Sequence, residues 1–157
     1  TLTQWLRLLS AMFLSNIVWN LLFGIIGDHL GWRRTVALCG GVGSAITTLA
    51  LYYTPNLLGA NYPLCVLAAV FYGATLAGYV PLSALMPSLA PEHRGAAMSM
   101  LNLGAGASTW VGPAIVGVFL PRLGVGGVMW IFAVLYLISA ALTLTLKLPG
   151  EERATAA

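Results

Sequence analysis

The side chains able to do chemistry in this sequence are few, uncharged and set inside long apolar runs. Asn16 and Asn20 stand one helical turn apart, with Trp19 beside them. Tyr72, Thr75 and Tyr79 follow the i, i+3, i+7 spacing that places side chains on one helical face, and Ser83 continues that face one turn further. Asn102 lies near the start of another run, with Ser108, Thr109 and Trp110 deeper in it. Amides, hydroxyls and phenols donate and accept hydrogen bonds, and an indole covers C–H surface. Such groups suit recognition of a neutral polyhydroxyl molecule rather than bond-making. Asn16, Trp19, Asn20, Tyr72, Thr75, Tyr79 and Asn102 are therefore the expected substrate contacts; the alternative is that they bond helix to helix. No catalytic residue, metal or cofactor is expected. Cys39 and Cys65 have no ligand spacing, His29 and His93 fall in loops, and no His–Glu or Ser–His constellation is present.

The elements that must hold these groups follow from composition. Of 157 residues, 59% are hydrophobic and 7% charged, against about 25% charged in a soluble domain. A soluble fold of this size still leaves about 30% of its unfolded surface wet, so only a bilayer can cover so much apolar sequence. The net charge of +3 forms no basic stripe, which excludes nucleic acid as a partner. A membrane span needs about 20 apolar residues. Five segments qualify: Gln4–Gly27, Thr35–Thr54, Tyr62–Met86, Ala96–Leu120 and Gly126–Leu146. Breaks fall at 28–34, at Pro55-Asn56, between Pro87 and Pro91, and at Pro121-Arg122 with Gly124. The expected fold is an all-α membrane protein of five transmembrane helices with a short tail, 147–157. A chain that begins at Thr1 and enters a span at once is expected to lack upstream helices. Arg33, Arg34, Arg94, Lys147 and Arg153 share one side of this topology, leaving Arg7 and Arg122 on the other. That asymmetry makes the Arg33 side, and the tail, cytoplasmic, in a multi-pass protein of the cytoplasmic (inner) membrane.

Two stripes of small residues recur every four positions: Ala69, Gly73 and Ala77 on the third span, and Gly104, Ser108 and Gly112 on the fourth. Both are expected to let helix backbones approach closely. Pro81 is expected to kink the third helix, and Gly112-Pro113 to bend the fourth.

The loop from Gly24 to Arg34 has its own logic. Asp28 ends a helix, where its charge meets the negative end of the dipole, so it needs a partner: a backbone donor at a neighbouring helix start, or an Arg. Gly24 and Gly27 would admit that neighbour, Gly31 would make the turn, and Arg33 and Arg34 would anchor the next helix.

This loop resembles the signature G-x-x-x-D-[RK]-x-G-[RK]-[RK] of the major facilitator superfamily. The match lies in Gly24, Asp28, Gly31 and Arg33, with Arg34 extending the basic run. His29 departs from the usual basic residue, and Trp32 takes the first position of the basic pair. The Pro91-Glu92-His93-Arg94-Gly95-Ala96-Ala97 loop is similar to another loop of that superfamily. The stretches 77–87 and 98–106 look specifically like the polyol permeases, the ribitol and arabinitol carriers. The resemblance aligns the chain with the last five of twelve helices, making it most of the C-terminal half of a twelve-helix fold whose N-terminal helices are missing here. It implies a gating latch of Gly24, Asp28, Gly31, Arg33, Arg34 and Arg94. It also implies a cavity faced by the first, third and fourth spans, with the second and fifth more peripheral.

The expected function is secondary active transport of a polyol or similar sugar, by alternating access and proton-coupled. The coupling acid would lie in the absent helices, because every charge here sits near a span end. The partners are then a small-molecule substrate, the lipid bilayer and those helices. Two alternatives are efflux of drugs or metabolites, suggested by Gly112-Pro113, and a membrane scaffold or sensor without turnover.

Overall fold

A computed structural model describes residues 2–59 and 61–146; the tail expected at 147–157 lies outside the described residues. All regular structure among them is helical. Helix α1 runs Leu2–Leu30. Helix α2 occupies Trp32–Leu57 and α3 occupies Tyr62–Leu89. A 3₁₀ turn, Pro91–His93, leads into α4, Arg94–Thr145. Each is long and apolar enough to cross a bilayer. The helices run a few residues past the expected spans because the breaks are narrower than their polar sequence suggests. Pro55 stays inside α2, Pro87 inside α3, and Pro121 inside α4.

Helix α4 is too long to be one straight element. Its 52 residues would reach about 78 Å, over twice the ~30 Å of a hydrocarbon core. Gly124 breaks it, with φ 66° and ψ −177°, a backbone open to glycine alone. Two arms result, 94–123 and 125–145. Ser108, Gly112 and Ile115 of the first arm and Phe132, Tyr136 and Ser139 of the second line one cavity, so the chain doubles back between them. Pro113 lies inside the first arm, and the turn between the arms falls at Gly124, within the break expected there.

Helix α2 lies at the centre. Its middle, Val36–Gly43, is wound as a π-helix between α-helical ends. A Cβ added to Gly40 would come within 3.2 Å of the Gly78 backbone of α3, and one on Gly41 within 2.5 Å of the Ala140 methyl of the second arm. The widened segment is thus where α2 meets both neighbours at backbone distance. The core around it consists mainly of small side chains: Ala37, Ala45, Ala69, Ala77, Ala133 and Ala140 are all buried. Such packing needs close backbones because the lipid leaves no hydrophobic drive between helices.

Contacts fix the directions. Ser15 and Asn16 of α1 bond Val70 and Gly73 of α3, and Gly27 meets Pro81, so the two helices run parallel. Tyr53 bonds Trp130 at 3.0 Å, and Gly41 meets Ala140, so α2 and the second arm run antiparallel.

Candidate functional site

The expected contact residues divide between helix seams and one cavity. Asn16 donates to the Gly73 carbonyl at 3.0 Å, and Asn20 donates to the Asn16 amide oxygen at 3.2 Å. This amide pair bridges α1 to α3, beside the Ser15 hydroxyl bonded to Val70 at 2.7 Å. Trp19 packs on Phe23 of its own helix, ring centroids 5.4 Å apart. Thr75 shares a 2.8 Å hydrogen bond with Thr47 of α2, sealing the α2–α3 seam. Asn102 is exposed on the first arm of α4, without a hydrogen-bond partner among the described residues.

Tyr79 and Tyr72 lead inward. Pro81 has no N–H to offer the Ala77 carbonyl, and Val80 bonds that carbonyl instead at 3.0 Å. The backbone tightens into the 3₁₀ turn Ala77–Tyr79, which delivers Tyr79 at the kink. Tyr79 lines a cavity of about 330 Å³ together with Ser108, Gly112, Phe132, Tyr136 and Ser139. Its ring stacks on Tyr136, centroids 6.3 Å apart and planes 30° apart, and Ser139 lies against its phenol. The Tyr72 hydroxyl meets the Tyr136 hydroxyl at 3.2 Å. Tyr72 itself lines a second cavity of about 490 Å³, almost wholly apolar, with Trp5, Met12, Leu51, Cys65 and Met129. The phenol pair thus joins the walls of both cavities.

Tyr136 and Ser139 were not among the residues picked out by sequence, because the last helix was placed at the periphery. The only available signal was two polar side chains one turn apart in an otherwise apolar run. No described lining residue of either cavity carries a charge.

The loop between α1 and α2 is built differently from its expected form. Asp28 accepts a 2.9 Å hydrogen bond from the Trp32 indole N–H at the start of α2, so its partner is a side chain there rather than a backbone donor or an Arg. Gly31, at φ 89°, makes the turn that allows this. Arg33 donates to the Leu146 carbonyl at 2.7 Å, placing a cation at the negative end of the second arm. Gly27 sits 2.8 Å from Pro81 by its absent Cβ, whereas Gly24 faces open space. Arg34 and Arg94 are exposed.

Four findings from known proteins bear on this arrangement. The family model described as Major Facilitator Superfamily matches residues 1–157. The chain is 55% identical over 152 residues to the "Alpha-ketoglutarate permease" of Bacillus subtilis (strain 168), a match covering 97% of this chain and 35% of that protein. It is 38% identical over 137 residues to the "D-arabinitol transporter" of Klebsiella pneumoniae, covering 87% of the chain and 32% of the relative. The "Ribitol transporter" of the same organism is 36% identical over 139 residues, covering 88% and 33%. The chain spans about a third of the length of these curated relatives. No solved structure matches it.

Proposed function

The chain belongs to the Major Facilitator Superfamily, a family of membrane transporters rather than enzymes, and on that premise we propose that its parent carries a polyol or similar neutral sugar across the cytoplasmic membrane by alternating access. In this reading the two arms of α4 each cross the bilayer once. The chain then makes five crossings within the C-terminal half of a twelve-helix fold, with the Arg33 loop cytoplasmic. Gly24, Asp28, Gly31, Arg33, Arg34 and Arg94 form its gating side. Proton coupling draws on an acid elsewhere in the parent, because the described Asp28 and Glu92 both lie at helix ends.

The observation that carries the reading is the cavity beside Tyr79. Phenol and serine hydroxyls line it, apolar walls complete it, and no described lining residue is charged. A polyol offers hydroxyls that donate and accept, matching those groups one for one in kind. The relatives named for arabinitol and ribitol agree with this chemistry.

A second reading comes from the relative of higher identity, named for α-ketoglutarate. That substrate is a dianion, and a dianion inside a membrane requires paired cations. In this chain such cations would have to come from the rest of the parent. The two readings separate by uptake of labelled D-arabinitol, ribitol and α-ketoglutarate into transport-deficient cells expressing the full-length parent. Saturable polyol uptake that collapses with a protonophore is expected. Saturable α-ketoglutarate uptake without polyol uptake would replace the polyol by the keto diacid.

A further inference from the structure

We propose that Tyr136, on the second arm of α4, is a positioning residue for substrate recognition: anchored by the Tyr72 hydroxyl, it holds the Tyr79 phenol through which the cavity reads hydroxyl groups. The proposal rests on the reading of the Tyr79 cavity as the substrate site.

One side chain bridges two residues seven apart on α3, about 10 Å along the axis. Its hydroxyl meets that of Tyr72 at 3.2 Å, and its ring stacks on Tyr79 with centroids 6.3 Å apart. Both targets need holding. Tyr79 sits in a 3₁₀ turn two residues before Pro81, where the α-helical hydrogen-bond ladder is interrupted. Its orientation is therefore set by what it packs against: Tyr136, Ser139 at its phenol, and Gly40 of α2, whose missing Cβ makes room for the ring. Tyr72 borders an almost wholly apolar cavity, where a phenol without a partner is costly.

The proton count gives the arrangement its specificity. Two phenols carry two O–H protons, and their mutual bond uses one of them. The second proton remains for another acceptor. When Tyr72 is the donor of that bond, the spare proton is the one on Tyr136, which lines the Tyr79 cavity, and a substrate hydroxyl is a matching acceptor. A site that hydrogen-bonds a substrate O–H strongly rejects analogues lacking it. The last helix, peripheral by its place in the sequence, thereby takes part in choosing the substrate.

The test uses the full-length parent with Tyr136→Phe, Tyr136→Leu, Tyr72→Phe and the double Tyr72→Phe/Tyr136→Phe. Tyr136→Phe keeps the ring and removes the hydroxyl. It is expected to raise the half-saturation concentration for D-arabinitol about 5- to 10-fold, the value of one hydrogen bond, with the maximal rate within about 2-fold. The double variant is expected to be no worse than the more impaired single, because both changes remove the same bond. Tyr136→Leu is expected to shift and broaden the ¹⁹F resonance of 3-fluorotyrosine placed at position 79 in substrate-free protein. An unchanged half-saturation in Tyr136→Phe, additive losses in the double, or an unmoved ¹⁹F resonance in a Tyr136→Leu protein that still melts cooperatively would each overturn the proposal. If the unmutated parent carries no polyol, the reading of the previous subsection fails. The same variants are then read on α-ketoglutarate, and the ¹⁹F measurement still decides whether Tyr136 holds Tyr79.

Discussion

Two stripes of small residues with the same four-residue spacing meet different fates in this fold. On α3, Ala69 and Ala77 are buried at 0% and 1% exposure, and a Cβ added to Gly73 would collide with the Met12 carbonyl of α1. On the first arm of α4, Cβ atoms added to Gly104 and Gly112 would meet nothing within 4 Å, and Ser108 bonds only its own helix, at the Ala105 carbonyl. The sequence pattern is a permission, not a contact. It allows two backbones to approach, but the partner has to be supplied, and α1 supplies it for only one of the two. The open stripe adjoins exposed Met100, Leu103 and Trp110.

Replacing Gly73 with Leu tests the closed stripe most severely. The new side chain must displace the α1 backbone, and overpacking of this kind costs about 1–3 kcal/mol or more. We expect Gly73→Leu to abolish cooperative melting in detergent micelles or lower the midpoint by many degrees. A midpoint equal to the parent sequence would mean that α1 and α3 do not meet there. A smaller loss is expected from Asn16→Ala, which removes the bond to the Gly73 carbonyl but leaves the backbones in contact. Interhelical bonds in membranes average about 0.6 kcal/mol, so its midpoint should fall slightly and measurably. The least effect is expected from Gly104→Leu, within about 0.5 kcal/mol in the chain described here. Destabilisation of that variant on the scale of Gly73→Leu would show that the open stripe is covered after all.

Much of the fold was written in the sequence because breaks between apolar runs are chemically loud. Gly31 and Gly124 fell where the chain turns, and the Pro81 kink and the Ala69–Gly73–Ala77 contact are both present. What stayed hidden depends on which faces meet. In a soluble helix the apolar face announces its core side, but in a membrane helix every face is apolar and periodicity is mute. Nothing in the composition of α2 announces that Gly40 and Gly41 would stand against two different neighbours across a π-wound segment. Tyr136 was hidden for the same reason: its meaning comes from Tyr72 and Tyr79, both more than fifty residues away. Asp28 shows a subtler limit. The sequence demanded a donor for it, and the donor proved to be Trp32, one of the two residues that depart from the superfamily signature.

The bond from Arg33 to the Leu146 carbonyl joins residues separated by 113 positions. During synthesis at about 5–20 residues per second, Arg33 is added to the chain roughly 6–23 s before Leu146. Throughout that interval the cation has no carbonyl of the last helix to hold. The membrane insertion machinery therefore handles a bundle in which this one bond, between the α1–α2 loop and the end of the second arm, is still to be made.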